Sequence, residues 1–462
     1  MEKFHNTLEW LNILREKLRR DRGELVIIYG RRRVGKTELV RQFLREVGGV
    51  YLYIDYCEPA ELLRLLSKDV REQSGEFVEF GSWDSFLEWL STQRVVVLDE
   101  FQRLQQVSPA AITRLQRLWD DRLKSEKILL ILVGSSIGML RKVAMGGTAP
   151  LYGRATSQFK LEPFRYTEAR GMFEGSSERE RIGIYGVFGG TPYYLQFVEA
   201  ELGLLGSVEK NVLRKGSPLL DEPLVLLRTE LKEVTRYNSI LAAIAEGKRT
   251  LKEISDASGI HINKLMYYIE NLRDLMDLIE LRKPVLGKEK MGRYNFKDNF
   301  FRFWYRFVLP NRSLLERGET EKVLSRVEAE LDSYLGPVFE EVVRELLIRY
   351  NGRNLNGFQL DFDEVGSWWD RVGNEIDICA RGKERVLIGE VKWGRDEVGT
   401  DLLDSLHRKS EILPWKGKKD LLLVSAAGFT KECRREAESE KVLHLDLSDI
   451  GRLFDALAGT TK

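Results

Sequence analysis

Cysteine and histidine are scarce in this chain. Cys57, Cys379 and Cys433 stand far apart, and the four histidines are equally scattered through 462 residues. With no Cys-x-x-Cys pair, neither a structural zinc site nor a disulfide framework is expected, and a reducing, cytoplasmic setting fits. An excess of charge of one sign is missing too: 73 basic residues face 72 acidic ones, for a net charge of +1. No global field therefore draws the chain to nucleic acid, and any such site must be a local patch. Long apolar runs are absent. The densest, residues 128–133, is strand-sized and far short of a bilayer, so no membrane partner is expected. The first twenty residues are amphipathic and charged, unlike a signal peptide. What remains is ordinary globular material, 43% hydrophobic, of a length that predicts two to four domains.

Residues 30–37 read Gly-Arg-Arg-Arg-Val-Gly-Lys-Thr, which fits the phosphate-binding loop G-x-x-x-x-G-K-[ST]. An apolar, strand-like run (25–29) precedes it and a helical pattern follows from Glu38. In that setting the backbone of Gly30, Arg31, Arg32, Arg33, Val34 and Gly35 curls its N–H groups towards phosphate oxygens. The helix N-terminus adds partial positive charge. Lys36 is expected to reach the β- and γ-phosphates of ATP, and Thr37 to ligate Mg²⁺.

A second strand-like run, 94–98, ends in Asp99-Glu100. Ligands of parallel sheets sit beyond the carboxyl ends of strands. Asp99 is therefore expected at the Mg²⁺ held by Thr37, and Glu100 at a water attacking the γ-phosphate. A third run, 127–136, ends Val-Gly-Ser-Ser, which places Ser135 or Ser136 where a hydroxyl senses that phosphate. Arg154, in Tyr-Gly-Arg, is either a catalytic arginine or a surface residue of a glycine turn.

Residues 1–164 alternate strand and helix patterns, as in a doubly wound parallel sheet. Residues 165–232 read as helical, broken by Gly-Gly-Thr-Pro at 189–192. Residues 233–310 contain three helices and two strand-like pieces (278–285 and 293–296), the pattern of a winged helix-turn-helix. Its third helix is expected to expose His261, Asn263, Lys264 and Tyr268, and its wing carries Lys288, Lys290 and Arg293. With 12 Lys/Arg against 9 Asp/Glu over 236–298, DNA contact and protein contact both remain open. The aromatic run 300–307 reads as a core helix, and the polar stretch 310–320 as a linker.

From residue 320 a second chemistry appears. Asp377 lies on one strand-like run. Glu390 and Lys392, two apart on the next, share a face. Two carboxylates can hold Mg²⁺, or Mn²⁺, while the metal and the lysine position a hydroxide against a phosphodiester. Glu340, on the preceding helix, reads as a solvated glutamate that could add a ligand.

Four segments together resemble the archaeal ATPase family, a branch of the signal-transduction ATPases with numerous domains (STAND). They are the 30–37 loop, Leu-Asp-Glu-Phe-Gln (98–102), Leu-Tyr-Gly-Arg (151–154) and Gly-Gly-Thr-Pro-Tyr-Tyr-Leu (189–195). The C-terminal part, with Phe-Glu-Glu (339–341), Trp-Trp (368–369), Asn-Glu-Ile-Asp (374–377) and Gly-Glu-Val-Lys-Trp (389–393), resembles the DUF234 domain. That domain in turn resembles PD-(D/E)XK nucleases. The chain departs from the patterns at Thr7-Leu8, where an Arg-Glu pair is usual, and at Ile376, where the nucleases have proline. The resemblance implies an α/β fold: a P-loop sheet of the additional-strand, catalytic-glutamate (ASCE) type, then a helical lid, a winged helix, and a restriction-endonuclease-like domain over 320–462. It brings Pro192 towards the nucleotide. It implies an ATPase acting on DNA, possible as a homo-oligomer, in repair, mobile-element or defence processes. The alternative is a regulatory switch whose C-terminal domain binds nucleic acid or protein without cutting.

Overall fold

The computed structural model describes residues 7–135, 137–140, 146–147, 149–287 and 291–459. Ser136, Lys288 and Lys290 lie outside them. The chain divides into two compact units, where the sequence suggests four segments. The first holds residues 1–164, 191–193 and 269–277, and the second the remainder.

The first unit is built on five parallel strands: β1 (Glu24–Tyr29), β2 (Val50–Tyr53), β3 (Val95–Asp99), β4 (Leu129–Gly134) and β5 (Ser157–Lys160). They lie in the order β2-β3-β4-β1-β5. In space the strand between β1 and β3 is β4, while β2 forms the edge. Successive residues of a strand face opposite sides, so a strand apolar throughout must be covered on both. In β1, Leu25 and Ile27 join the core with Leu52, Leu62 and Leu66. Val26 and Ile28 join the opposite core with Leu39, Val40 and Phe43 of the helix Lys36–Val47. The helix that follows the 30–37 loop is thus clamped to the sheet by its own apolar face. The register pairs Tyr29 with Gly134 and Leu98 with Leu132, which aligns the carboxyl ends of β1, β3 and β4 along one edge.

Glu24 opens β1 fully buried. Lys17 Nζ stands 3.0 Å from its Oε2, while Arg20 (3.2 Å) and Arg22 (3.1 Å) reach Oε1. Burial alone would raise its pKa; the Thr156 hydroxyl, Lys17 and Arg22 more than offset this and bring it from 4.5 down to about 2. The folded pKa lies below the unfolded one, so the stabilisation is complete above about pH 4.5 and is lost as the pH falls towards 2, a loss of about 3 kcal/mol. Calorimetry of the full chain should show the stability gap between wild type and Glu24→Gln closing between pH 5 and pH 2.5. A gap that stays constant over that range would refute the assignment.

In the second unit, helices at Val234–Ala245 and Leu251–Ser258, and residues 262–268 of the helix Ile262–Glu270, precede an antiparallel hairpin of β6 (Ile279–Arg282) and β7 (Arg293–Phe296). Thr250 starts the second helix with a capping box to Glu253, and Gly259 ends it in the left-handed conformation (φ 69°). His261, Asn263 and Lys264 are exposed as expected. Tyr268 is not: it is 4% exposed and donates its hydroxyl to Glu233 Oε2 at 2.9 Å. Its spacing from Leu265 and Leu272 puts it on the buried stripe of the helix, and Tyr267, 62% exposed, takes the outer position. The aromatic run packs inward as a core helix, with Phe300, Phe301, Phe303 and Trp304 fully buried.

The expected linker is largely helical. Pro310 sits in the first turn of Leu309–Asn311, Arg312–Glu316 continues it, and a 30-residue helix follows at Thr320–Arg349. Beyond a short β8–β9 hairpin (Asn354–Leu355, Phe358–Gln359) lie β10 (Glu364–Trp369), β11 (Glu375–Arg381), β12 (Arg385–Lys392), β13 (Lys418–Ser425) and β14 (Leu443–Asp446). They form one mixed sheet in chain order, antiparallel from β10 to β12 and parallel from β12 to β14.

Candidate functional site

The 30–37 loop folds as a cradle. Gly30 (φ 154°) passes so close to the next chain that a Cβ there would stand 2.2 Å from the Leu161 carbonyl oxygen. Arg33 (φ 71°) and Gly35 (φ 94°) both adopt left-handed backbone, and a turn of this kind aims successive N–H groups into one concavity. Gly35 has no neighbour within 4 Å of its missing Cβ, so the concavity is open there. Lys36 is 6% exposed; its Nζ donates to the carbonyls of Gly30 (2.9 Å) and Arg31 (2.6 Å), spanning the mouth of the loop. Val34 and Arg31 are buried, Arg32 and Arg33 half-buried. The Arg33 guanidinium lies 3.8 Å from the ring centre of Tyr193, the residue after Pro192 in the Gly-Gly-Thr-Pro-Tyr turn. Pro192 is buried, and residues 191–193 belong to the ATPase unit although their flanking helices do not.

The acidic pair lies beside this cradle. Thr37 Oγ1 donates to Asp99 Oδ2 at 2.7 Å. A hydroxyl and a carboxylate at that separation can both ligate one Mg²⁺, so the residues present fit the metal. Tyr51, on β2, donates its hydroxyl to the same oxygen at 2.7 Å; burial and the Asp99 charge raise the tyrosine's pKa. Sequence reasoning missed Tyr51, whose role depends on β2 pairing with β3. Glu100 has left-handed backbone (φ 55°). Its Oε2 accepts from Ser135 Oγ at 2.9 Å and from Gln102 Nε2 at 2.6 Å. Arg154 points elsewhere: it forms a two-pronged pair with Asp120 (2.9 and 2.6 Å) and donates to the Pro150 carbonyl at 2.9 Å.

In the second unit, β11 and β12 bring Asp377 and Glu390 together. Asp377 Oδ2 accepts from the Val391 amide at 3.0 Å. Glu390 is 1% exposed; Lys409, from the helix Thr400–Ile412, bonds its Oε1, while Oε2 has no hydrogen-bond partner. Lys392 Nζ stands 3.8 Å from that oxygen with its side chain half exposed. Glu340 is no solvated glutamate. Burial, with the Asp377 charge nearby, pushes its carboxyl up to about 7, and Arg344 bonds it at 3.4 Å while also donating to the Asp377 carbonyl at 3.1 Å. Burial likewise raises the pKa of Asp377 and of Glu390, the latter also through the charge of Asp377. Raised carboxyls and an orphaned buried oxygen fit a cation through Asp377 and Glu390. Among the described residues, however, no group of three or more His, Cys, Asp or Glu side chains is placed to hold a metal. Sequence reasoning missed Lys409, which a later helix delivers, and Arg344, four residues after Glu340 on one helix, whose contact with Asp377 spans 33 residues.

A parallel sheet with β4 between β1 and β3, a phosphate loop at β1 and an Asp-Glu pair at β3 define a P-loop ATPase of the ASCE type. A family model described as an ATPase domain predominantly from Archaea matches residues 4–198. DUF234, described as archaea bacterial proteins of unknown function, matches residues 304–402. An uncharacterized protein of Methanocaldococcus jannaschii is 34% identical over 417 residues, 89% of this chain and 92% of its own length. The chain belongs to the family of archaeal ATPases that carry a C-terminal DUF234 domain. An uncharacterized ATP-binding protein of the same archaeon is 49% identical over 41 residues, 9% of this chain and 70% of that protein. Among solved structures, the Walker-type ATPase of Pyrococcus abyssi is 23% identical, covering 65% of this chain and 95% of its own, with a TM-score of 0.49. No helix among the described residues is long and apolar enough to cross a membrane.

Proposed function

We propose that the chain is an ATP-driven switch of STAND type coupled to a metal-dependent deoxyribonuclease in its C-terminal domain, working on DNA in repair, mobile-element or defence processes. In the ATPase unit, the loop amides and Lys36 bind the phosphates, Thr37 and Asp99 hold Mg²⁺, Glu100 takes the proton of the attacking water, and Ser135 senses the γ-phosphate. Bound Mg²⁺ supplies neutralisation of phosphate charge. Pro192, brought to this unit beside the Arg33–Tyr193 pair, borders the nucleotide. Arg154 is a structural residue, as its two-pronged tie to Asp120 supports; a role across a homo-oligomer interface would require that tie to break. The helices and hairpin of 234–296 read as a winged helix that offers DNA His261, Asn263, Lys264 and Tyr267.

The nuclease reading rests on one observation above all: the buried Oε2 of Glu390 beside Asp377, which no hydrogen bond among the described residues satisfies and which the Lys392 ammonium approaches to 3.8 Å. A phosphodiester brought to this pair meets like charge, and a divalent cation held by both carboxylates reverses that sign. Lys392 then orients the attacking water. The bond between Lys409 and Glu390 favours the second reading, in which a lysine has replaced the metal and the domain binds nucleic acid without cutting it.

The full chain, assayed on single-stranded, duplex and branched DNA with and without ATP and Mg²⁺ or Mn²⁺, separates the two. Cleavage that needs the divalent ion, is lost with metal binding in Asp377→Ala, and is lost with metal binding retained in Lys392→Ala, supports the nuclease. DNA binding without cleavage, and no heat of metal binding by calorimetry, would leave the switch alone standing.

A further inference from the structure

Gln102 has no place in the machinery described so far, yet it is one of the most deliberately placed polar side chains in the ATPase unit. After β3 the chain enters the left-handed conformation at Glu100 and turns at once into the 3₁₀ turn Phe101–Arg103. That reversal folds Gln102 back over the carboxylate two residues before it. The glutamine is 2% exposed. Its Nε2 donates to Glu100 Oε2 at 2.6 Å. Its own Oε1 is buried without a hydrogen-bond partner, and it lies so close to β4 that a Cβ on Gly134 would stand 2.6 Å from it. A buried amide oxygen left unpaired is costly, and such groups in native proteins call for a reason. Here the carboxamide has one orientation that aims a donor at Glu100, and the opposite orientation would set oxygen against oxygen.

We propose that Gln102 is a positioning residue of the ATPase, fixing which oxygen of Glu100 acts on water. The contacts converge on Oε2: Gln102, Ser135 Oγ at 2.9 Å, and Arg103 Nε at 3.7 Å. This leaves Oε1 to accept the proton as the water oxygen bonds to the γ-phosphorus, the bond to the bridging oxygen breaks, and ADP leaves with that electron pair. Ser135 has a single hydroxyl proton. It donates to Glu100 or to a phosphate oxygen, never to both. When Ser135 turns to a γ-phosphate, Gln102 is the donor that keeps the carboxylate in place. Its buried carbonyl lies against Gly134 of β4 and its amide hydrogen bond goes to Glu100, so it acts on the reaction through Glu100.

The inference rests on the reading of Glu100 as the proton acceptor, and the test separates the two. Gln102→Met and Gln102→Leu keep an apolar body of similar size and remove the donor; either suffices should the other fail to fold. Steady-state hydrolysis at saturating ATP and Mg²⁺ should fall roughly 10- to 100-fold in kcat, the range lost with a supporting partner, while KM and the affinity for a fluorescent ATP analogue stay within about twofold. In a Glu100→Gln background the same change should alter the residual rate less than about twofold, because the group it positions is gone. An undiminished or raised kcat in Gln102→Met, or an equal loss in the Glu100→Gln background, would overturn the proposal. Wild-type turnover in Glu100→Gln alone would instead remove the proton-acceptor reading.

Discussion

Glu100→Gln is expected to bind ATP as the wild type does and to lose turnover by roughly 10²- to 10⁴-fold, the contribution of a positioned general base. The substitution replaces one carboxylate oxygen by an amide nitrogen and changes little else. The residues proposed to hold Mg²⁺ are untouched, because Asp99 meets Thr37 through its own Oδ2 and supports the Glu100 amide through Oδ1 at 2.8 Å. That backbone contact survives any change of the Glu100 side chain, so the strand end keeps its shape. The Glu100 side chain itself is 14% exposed, and the conservative exchange leaves no cavity. The new amide can still accept from Ser135 and Gln102 through its oxygen, yet it cannot take a proton from water. Phosphate release measured beside nucleotide affinity gives the answer: a lost rate with retained affinity places Glu100 in the chemical step, whereas equal turnover removes it.

The legible parts of this protein are those whose physics is local. A glycine loop that ends in Lys-Thr announces itself because the phosphate cradle needs left-handed backbone at Gly35 and a cation next to it. The strands around it are legible because β1 and β4 are apolar on both faces, which only a covered parallel sheet requires. Glu390 and Lys392 are legible for a similar reason, since a carboxylate and a lysine two apart on an apolar strand share a face. What the sequence hides is set by partners far along the chain. Tyr51 reaches Asp99 only because β2 pairs with β3. Lys409 reaches Glu390 only because the helix Thr400–Ile412 packs on the sheet. Glu340 reads as an ordinary helix glutamate until burial and the charge of Asp377 push it up to about 7. Tyr268 is a different case, since its spacing from Leu265 and Leu272 already placed it on the apolar stripe. Its hydroxyl is satisfied within the fold by Glu233.

Lys36→Ala should weaken ATP binding by roughly 100-fold or more, and the structure gives the change two separable consequences. The first is electrostatic. Loss of the ammonium removes a charge-assisted contact to the phosphates, an interaction worth about 1.5–3 kcal/mol, and leaves the loop amides and the proposed Mg²⁺ site to hold them. The second appears before any nucleotide arrives. Lys36 Nζ bridges the carbonyls of Gly30 and Arg31 at 2.9 and 2.6 Å, and without it two acceptors in a loop with left-handed residues at 33 and 35 lose their donor. The nucleotide-free protein should therefore unfold a few degrees lower than wild type. Thermal denaturation reads both effects at once. Saturating Mg-ATP at about 100 times its Kd stabilises the wild type by about 2.7 kcal/mol through mass action, and the same concentration should stabilise Lys36→Ala by less than about 0.5 kcal/mol. Lys36→Met distinguishes the causes further: its unbranched chain refills the buried position without restoring charge, so melting should recover in part while the response to ATP stays small. A wild-type ATP shift in either variant would mean that the loop amides alone carry binding and that Lys36 serves only to brace the loop.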